Sequence, residues 1–262
     1  TDGYPEGFYR QLEAINWSYK SYFHCPVSKD YMKSNWDKRD YIVQGINDEV
    51  MDDKINYFPL GVGQFPDSEP FPNPAQGKKI LLFNHRWNNS TGINKLIEYT
   101  EDLDRDEWLV WVTDENAKKP MAGKPAPKWM YVKNLPSGGA YRNLIEQSHA
   151  TLCFVDNYMT WNLSVQDAIR LYKPSLAFKH PTYEYVLGED YPLYFSNKDE
   201  FVDVINKIPE GKKFDWELPP HDEDFKNNLV GDLTHCLENS KKKHTSKTKY
   251  GVEWLYLSLI HI

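Results

Sequence analysis

From Lys79 onward the chain alternates short, unbroken apolar runs with stretches of helical spacing, and this rhythm limits the fold more than any other feature. The runs KILLF, EWLVWVT, KWMYVKN, ATLCFV, PSLAFK and PLYFS read as strands. Between them, 92–102, GAYRNLIEQSH, SVQDAIRLY and TYEYVLG read as helices, and KDEFVDVINKI follows as another. Continuous apolar strands separated by helices imply a parallel sheet covered on both faces. The expected class is therefore α/β, a Rossmann-like parallel sheet. Right-handed crossovers place the strand C-terminal ends on one rim, which is where open sheets of this kind take ligands.

Upstream, FYRQLEAINWSYKSYF (8–23) reads as a helix and FHCPVS as a short strand. KDYMKSNW reads as a helix capped by Ser28, and INYFPLGV as a second strand. Pro66, Pro70, Pro72 and Pro74 then interrupt both ladder types, which is linker chemistry. The expected division is 1–70 as a partial first domain with its linker to about 77, 78–215 as the regular α/β domain, and 216–256 as a C-terminal helical segment. The last six residues, LSLIHI, match the translation of a sequencing-library adapter, so 257–262 read as a non-native tail on a piece of a longer protein.

A net charge of -7 argues against a broad footprint for duplex nucleic acid. No apolar run approaches the roughly 20 residues needed to span a bilayer. Cys25, Cys153 and Cys236 are too scattered for a metal cluster and cannot all pair with one another, which points to a reducing, cytoplasmic setting. No His/Asp/Glu grouping has metal-ligand spacing.

Three features fall on the expected ligand rim. Arg86 follows the apolar run of ILLFNHRWNNSTG (80–92), at the start of the first strand-to-helix loop; a guanidinium there suits a diphosphate, and equally an ion pair or a helix cap. In TWNLSVQDAIRLYKP, a helix begins near Ser164, so the backbone N–H groups of Asn162, Leu163 and Ser164 face outward and its dipole favours an anion. Asp167, one turn in, is placed either to accept from a ribose diol or simply to complement that dipole. The third feature is the loop starting at Asn134 and Leu135, whose backbone is open either to a base edge or to a plain strand-to-helix connection.

Residues 56–208 resemble, in colinear order, the C-terminal half of the GT-B glycosyltransferases, in the retaining group related to glycogen synthase. INYFPLGV, ILLFNHRWNNSTG, NLPSGGAYRNLIEQSHATLCFV, TWNLSVQDAIRLYKPSLAF and YPLYFSNKDEFVDVI each match a segment of that family. The resemblance implies that 78–215 bind a nucleoside-diphosphate sugar as donor substrate, with no bound metal or other cofactor, and that 1–70 are the tail of the acceptor-side domain. Arg86 then takes the place of the diphosphate-binding arginine and Asp167 that of a ribose-binding glutamate. Asn162 and Leu163, with Ser164, stand where backbone N–H groups meet the donor, and Asn134 and Leu135 lie near the base-contacting loop.

Two departures stand out. The family's phosphate-binding lysine falls on Thr91, and its sugar-contacting glutamate falls on Met159. Lys95 and Asp156 (or Asn157) are the stand-in candidates. The acceptor, whether polysaccharide, lipid, protein or modified base, is not specified. The competing expectations are a degenerate nucleotide-binding module, for which Thr91 and Met159 speak, and an epimerase or phosphotransferase on the same fold, which would need His85 or His180 as acid or base.

Overall fold

A computed structural model describes residues 21–23, 27, 30, 34, 55–57, 65–118, 124–156, 163–208, 211, 213–218, 231–235 and 238. Two units emerge, 1–60 with 220–262, and 61–219. In the first, β1 (Ser21–Phe23) pairs in parallel with β2 (Ile55–Tyr57). The expected helix over 8–23 is thus corrected at its end: Ser21, Tyr22 and Phe23 are strand, as two ring-bearing residues beside a β partner favour. The rest of that helix, Ser28 and the 257–262 tail lie outside the described residues.

The second unit carries the regular alternation. Its elements are β3 (Lys79–Phe83), α1 (Ile93–Thr100), β4 (Trp108–Val112), β5 (Tyr131–Val132), α2 (Gly138–Gln147) and β6 (Ala150–Cys153). There follow α3 (Leu163–Arg170), β7 (Ser175–Phe178), α4 (Pro181–Leu187), β8 (Tyr194–Phe195) and α5 (Lys198–Lys207). Every expected strand and helix of this unit is present, although KWMYVKN and PLYFS each yield only two strand residues.

All pairings are parallel, in the order β5-β4-β3-β6-β7-β8. The chain builds outward from β3 through β4 to β5, then returns to set β6 on the other side of β3, where Leu81 and Leu82 pair with Ala150 and Thr151. This is the doubly wound order, and it reverses between β3 and β6. The two loops that leave those strands diverge to opposite faces and open a crevice at their C-terminal ends.

Both faces are filled. On one, Ile80, Leu82 and Trp111 pack with Leu144 and Ile145 of α2 and Ala168 of α3. On the other, Tyr99 of α1, Phe154, Phe195 and Phe201 of α5 form a ring cluster with centroids 5.2 to 6.0 Å apart. Local chemistry sets the helix starts. The Ser137 and Asn197 side chains accept from Ala140 N and Glu200 N, which satisfies amide groups that an α-helix start leaves unpaired.

The proline-rich stretch is not a free linker. Phe65, Phe71 and Ala75 join the α2 face, with Phe71 edge-on to Trp111 at 5.5 Å. Glu69 N donates to Gly139 O at 3.1 Å, and Ser68 Oγ to Glu146. The prolines hold this segment out of helix and ladder while the apolar residues between them dock. This segment packs within the unit 61–219.

Candidate functional site

Arg86 is held outward by its neighbours. His85 and Trp87 are buried on either side of it, and Arg86 is exposed. Trp87 anchors the loop twice: its backbone N donates to Asp114 at 2.7 Å, and its indole Nε1 to Lys124 O at 2.9 Å. Thr91 Oγ1 donates to Arg86 O at 2.6 Å and lies 2.8 Å from Asn88 O. Thr91, expected at a ligand-binding position, thus serves the loop itself. Among the described residues, the Arg86 side chain has no ion-pair partner.

Gly92 closes the loop and caps α1 in the left-handed region, φ 76°. Its α-carbon lies against Phe154, the residue following β6; a Cβ there would sit 2.2 Å from Phe154 O. The two walls of the crevice are therefore in backbone contact at their base.

The opposite wall is α3. Ser164 Oγ donates to Asn84 O at 3.0 Å, which fixes the first turn of α3 to the residue following β3, two positions before Arg86. Leu163 is exposed at the helix start, and no acidic residue occupies the first turn, so the dipole there is not offset from within. Asn162 lies outside the described residues, as do Asn157, Met159 and Trp161.

Asp167 belongs to a network that the sequence did not announce. Asn84 Nδ2 donates to Tyr141 Oη at 2.7 Å, and Tyr141 Oη donates to Asp167 Oδ2 at 3.0 Å. Burial raises the Asp167 pKa, against the lowering effects of the Tyr141 hydrogen bond and Arg170. Burial likewise pushes the Tyr141 phenol up, so it stays a donor. The network joins β3, α2 and α3 behind the crevice. Tyr141 reads in sequence as one more residue of an amphipathic helix, and only the fold brings it to Asn84.

Asn134 and Leu135 follow β5, at the sheet edge beyond β4. With Phe71, Pro72, Trp111 and Lys133 they line a cleft of about 300 Å³. The Leu135 amide is already engaged by Asn134 Oδ1 at 2.8 Å. A larger cavity, about 580 Å³, opens on the other rim, where the strands begin, beside Lys79, Ser148 and Lys173. Lys173 Nζ donates to Ser148 O, the C-cap of α2, at 3.2 Å. That lysine complements a helix C-terminus, so the larger space is not the stronger anion site.

The two histidines are structural. Burial lowers the His85 pKa to about 4, against a hydrogen bond with the Leu152 backbone that raises it. His180 caps α4 by accepting from Thr182 N, and burial lowers its pKa as well. His85 gives a measurable pH dependence. Between pH 6.5 and about 4 the unfolded chain takes up a proton that folded His85 refuses, so stability falls as pH falls through that window. The loss reaches about 3 kcal/mol at its lower end. Urea midpoints between pH 7 and 4.5 read it, and a His85→Asn variant flattens the slope.

Among the described residues, no group of His, Cys, Asp or Glu is placed to hold a metal ion, and no helix is long and apolar enough to cross a membrane.

No protein-family model and no curated protein matches the chain. Solved structures do. One is a mutant of S. aureus TarM in complex with fondaparinux, α-GlcNAc-glycerol and UDP: 12% identity, TM-score 0.51, covering 79% of this chain and 40% of that one. Another is the pneumococcal O-GlcNAc transferase GtfA with UDP and GlcNAc: 16% identity, TM-score 0.44, covering 71% and 37%. A third is a UDP-GlcNAc 2-epimerase from Methanocaldococcus jannaschii: 15% identity, TM-score 0.37, covering 61% and 46%. The TarM overlay shows a shared α/β fold, the Rossmann-like parallel sheet expected for this unit. The chain spans 40% of that TarM structure's length.

Proposed function

We propose that residues 61–219 form the donor-binding half of a glycosyltransferase, and that the crevice between β3 and β6 holds the diphosphate of a nucleoside-diphosphate sugar. One observation carries this reading: the Ser164 to Asn84 hydrogen bond ties the first turn of α3 to the strand end that bears Arg86. A fork of N–H donors and a helix N-terminus then share one rim, and both favour the same anion.

Transfer breaks the bond from the sugar's anomeric carbon to the distal phosphate oxygen and forms one to an acceptor hydroxyl oxygen. The acceptor's proton leaves with the diphosphate or to solvent. Negative charge grows on the leaving diphosphate, and Arg86 with the α3 dipole stabilises it as it grows. Asp167, held by Tyr141, accepts from the ribose hydroxyls, and the Asn134–Leu135 cleft receives the base. The sugar donor is a co-substrate, so no resident cofactor enters the proposed reaction. Acceptor contacts come from outside this unit, so the unit alone binds donor without turning it over. An epimerase would need a titrating acid or base at the crevice, whereas His85 is buried and His180 is a helix cap.

Calorimetric titration with the common uridine, guanosine and adenosine diphosphate sugars tests the reading. Saturable heat with one nucleotide is expected; the absence of heat with all three counts against a donor site.

A further inference from the structure

Lys95 and Asp156 reach each other across the crevice. Lys95 is the third residue of α1, which follows β3, and Asp156 lies just beyond β6. The Lys95 ammonium forms an ion pair with Asp156 Oδ2, with both side chains partly open to solvent. The same Nζ lies 4.1 Å from the centroid of the Phe178 ring, at the end of β7. His180 is close enough for Asp156 to raise its pKa and Lys95 to lower it. The pair thus spans the point where the strand order reverses.

An ion pair this exposed adds little to stability, because water and salt already screen it. Its place matters more. Thr91, one turn earlier, offers no cation, and its hydroxyl serves the Arg86 and Asn88 carbonyls. Lys95 joins Arg86 on this rim as a cation, and its partner is a solvent-exposed carboxylate that a stronger anion can displace.

We propose that Lys95 is the second diphosphate-binding cation and that Asp156 is a displaceable placeholder for the ligand. This rests on the donor site proposed above. In the empty site Asp156 holds the lysine in the crevice. On binding, the diphosphate, with one negative charge on each phosphate, takes over Lys95, and Asp156 turns to accept from the sugar's hydroxyls. The pair therefore couples phosphate binding to recognition of the sugar. The two halves of the pair act with opposite sign on the nucleoside diphosphate: the lysine attracts it and the carboxylate competes with it.

Calorimetry on the full chain separates the cases, using uridine, guanosine and adenosine diphosphates and their glucose conjugates. Lys95→Met raises Kd for the preferred nucleoside diphosphate about tenfold or more, the share of one charge-assisted hydrogen bond. Asp156→Asn lowers that Kd, yet weakens the nucleotide sugar relative to the diphosphate. If Lys95→Met leaves Kd within twofold while Arg86→Ala abolishes binding, the Lys95 assignment is overturned and the donor site stands. If Asp156→Asn weakens the diphosphate as Lys95→Met does, the carboxylate positions the lysine and the displacement is overturned. If the unaltered chain binds none of the three nucleotides, the donor site and this inference fall together.

Discussion

With the donor site as proposed, Arg86→Ala is expected to abolish donor binding without unfolding the protein. The guanidinium is exposed and flanked by two buried anchors, so its removal leaves the His85 and Trp87 packing intact. A surface change of this kind alters stability by about 0.5 kcal/mol or less. Binding suffers far more. A bidentate, charge-assisted contact to phosphate contributes roughly 3 kcal/mol, so Kd rises about 100-fold or more. Arg86→Lys keeps the charge but not the planar fork and falls between the two. Titration of both variants with the nucleotide the parent prefers, next to their melting curves, reads the two effects separately. A lost melt alongside lost binding would make Arg86 a folding residue instead.

Gly92→Val has the opposite profile: it breaks the fold and the crevice together. The position has φ 76°, and a Cβ would lie 2.2 Å from Phe154 O and 2.6 Å from Phe154 Cβ. Left-handed backbone costs a β-branched residue about 1 to 2 kcal/mol, and forcing apart a packed contact adds about 1 to 3 kcal/mol. The Phe154 side that must yield is backbone just beyond β6, next to a buried ring cluster, so it cannot give cheaply. A loss of roughly 4 kcal/mol is expected in urea unfolding. Gly92→Ala, which lacks the branch, lies between the two. A valine variant as stable as the parent would mean that β3 and β6 do not meet as described.

The sheet was legible because its strands are continuous apolar runs, and each helix between them was legible from its spacing. The strand order was not. Nothing in ATLCFV says that it returns to pair with KILLF rather than extending past β5; that choice lies in the long-range register of Leu81 and Leu82 against Ala150 and Thr151. The crevice, set by that choice, was placed from the general rule for such sheets. The proline-rich stretch misled because Pro66, Pro70, Pro72 and Pro74 dominate its pattern, while Phe65, Phe71 and Ala75, read as docking residues, would have signalled packing.

Site residues split the same way. Arg86 stood out because a charged residue ended an apolar run. Tyr141 gave no signal, since its partners Asn84 and Asp167 lie 57 and 26 residues away. Lys95 and Asp156 were separate candidates for separate contacts; only the fold shows that they contact each other.

The central claim is that one crevice, walled by the Arg86 loop and the first turn of α3, grips a diphosphate. A crystal structure of the chain with the nucleoside diphosphate it binds best tests this directly. Both phosphates should lie within hydrogen-bond distance of the Arg86 guanidinium and the amides at the start of α3. Phosphates found instead beside Lys79 and Lys173, on the rim where the strands begin, would contradict it.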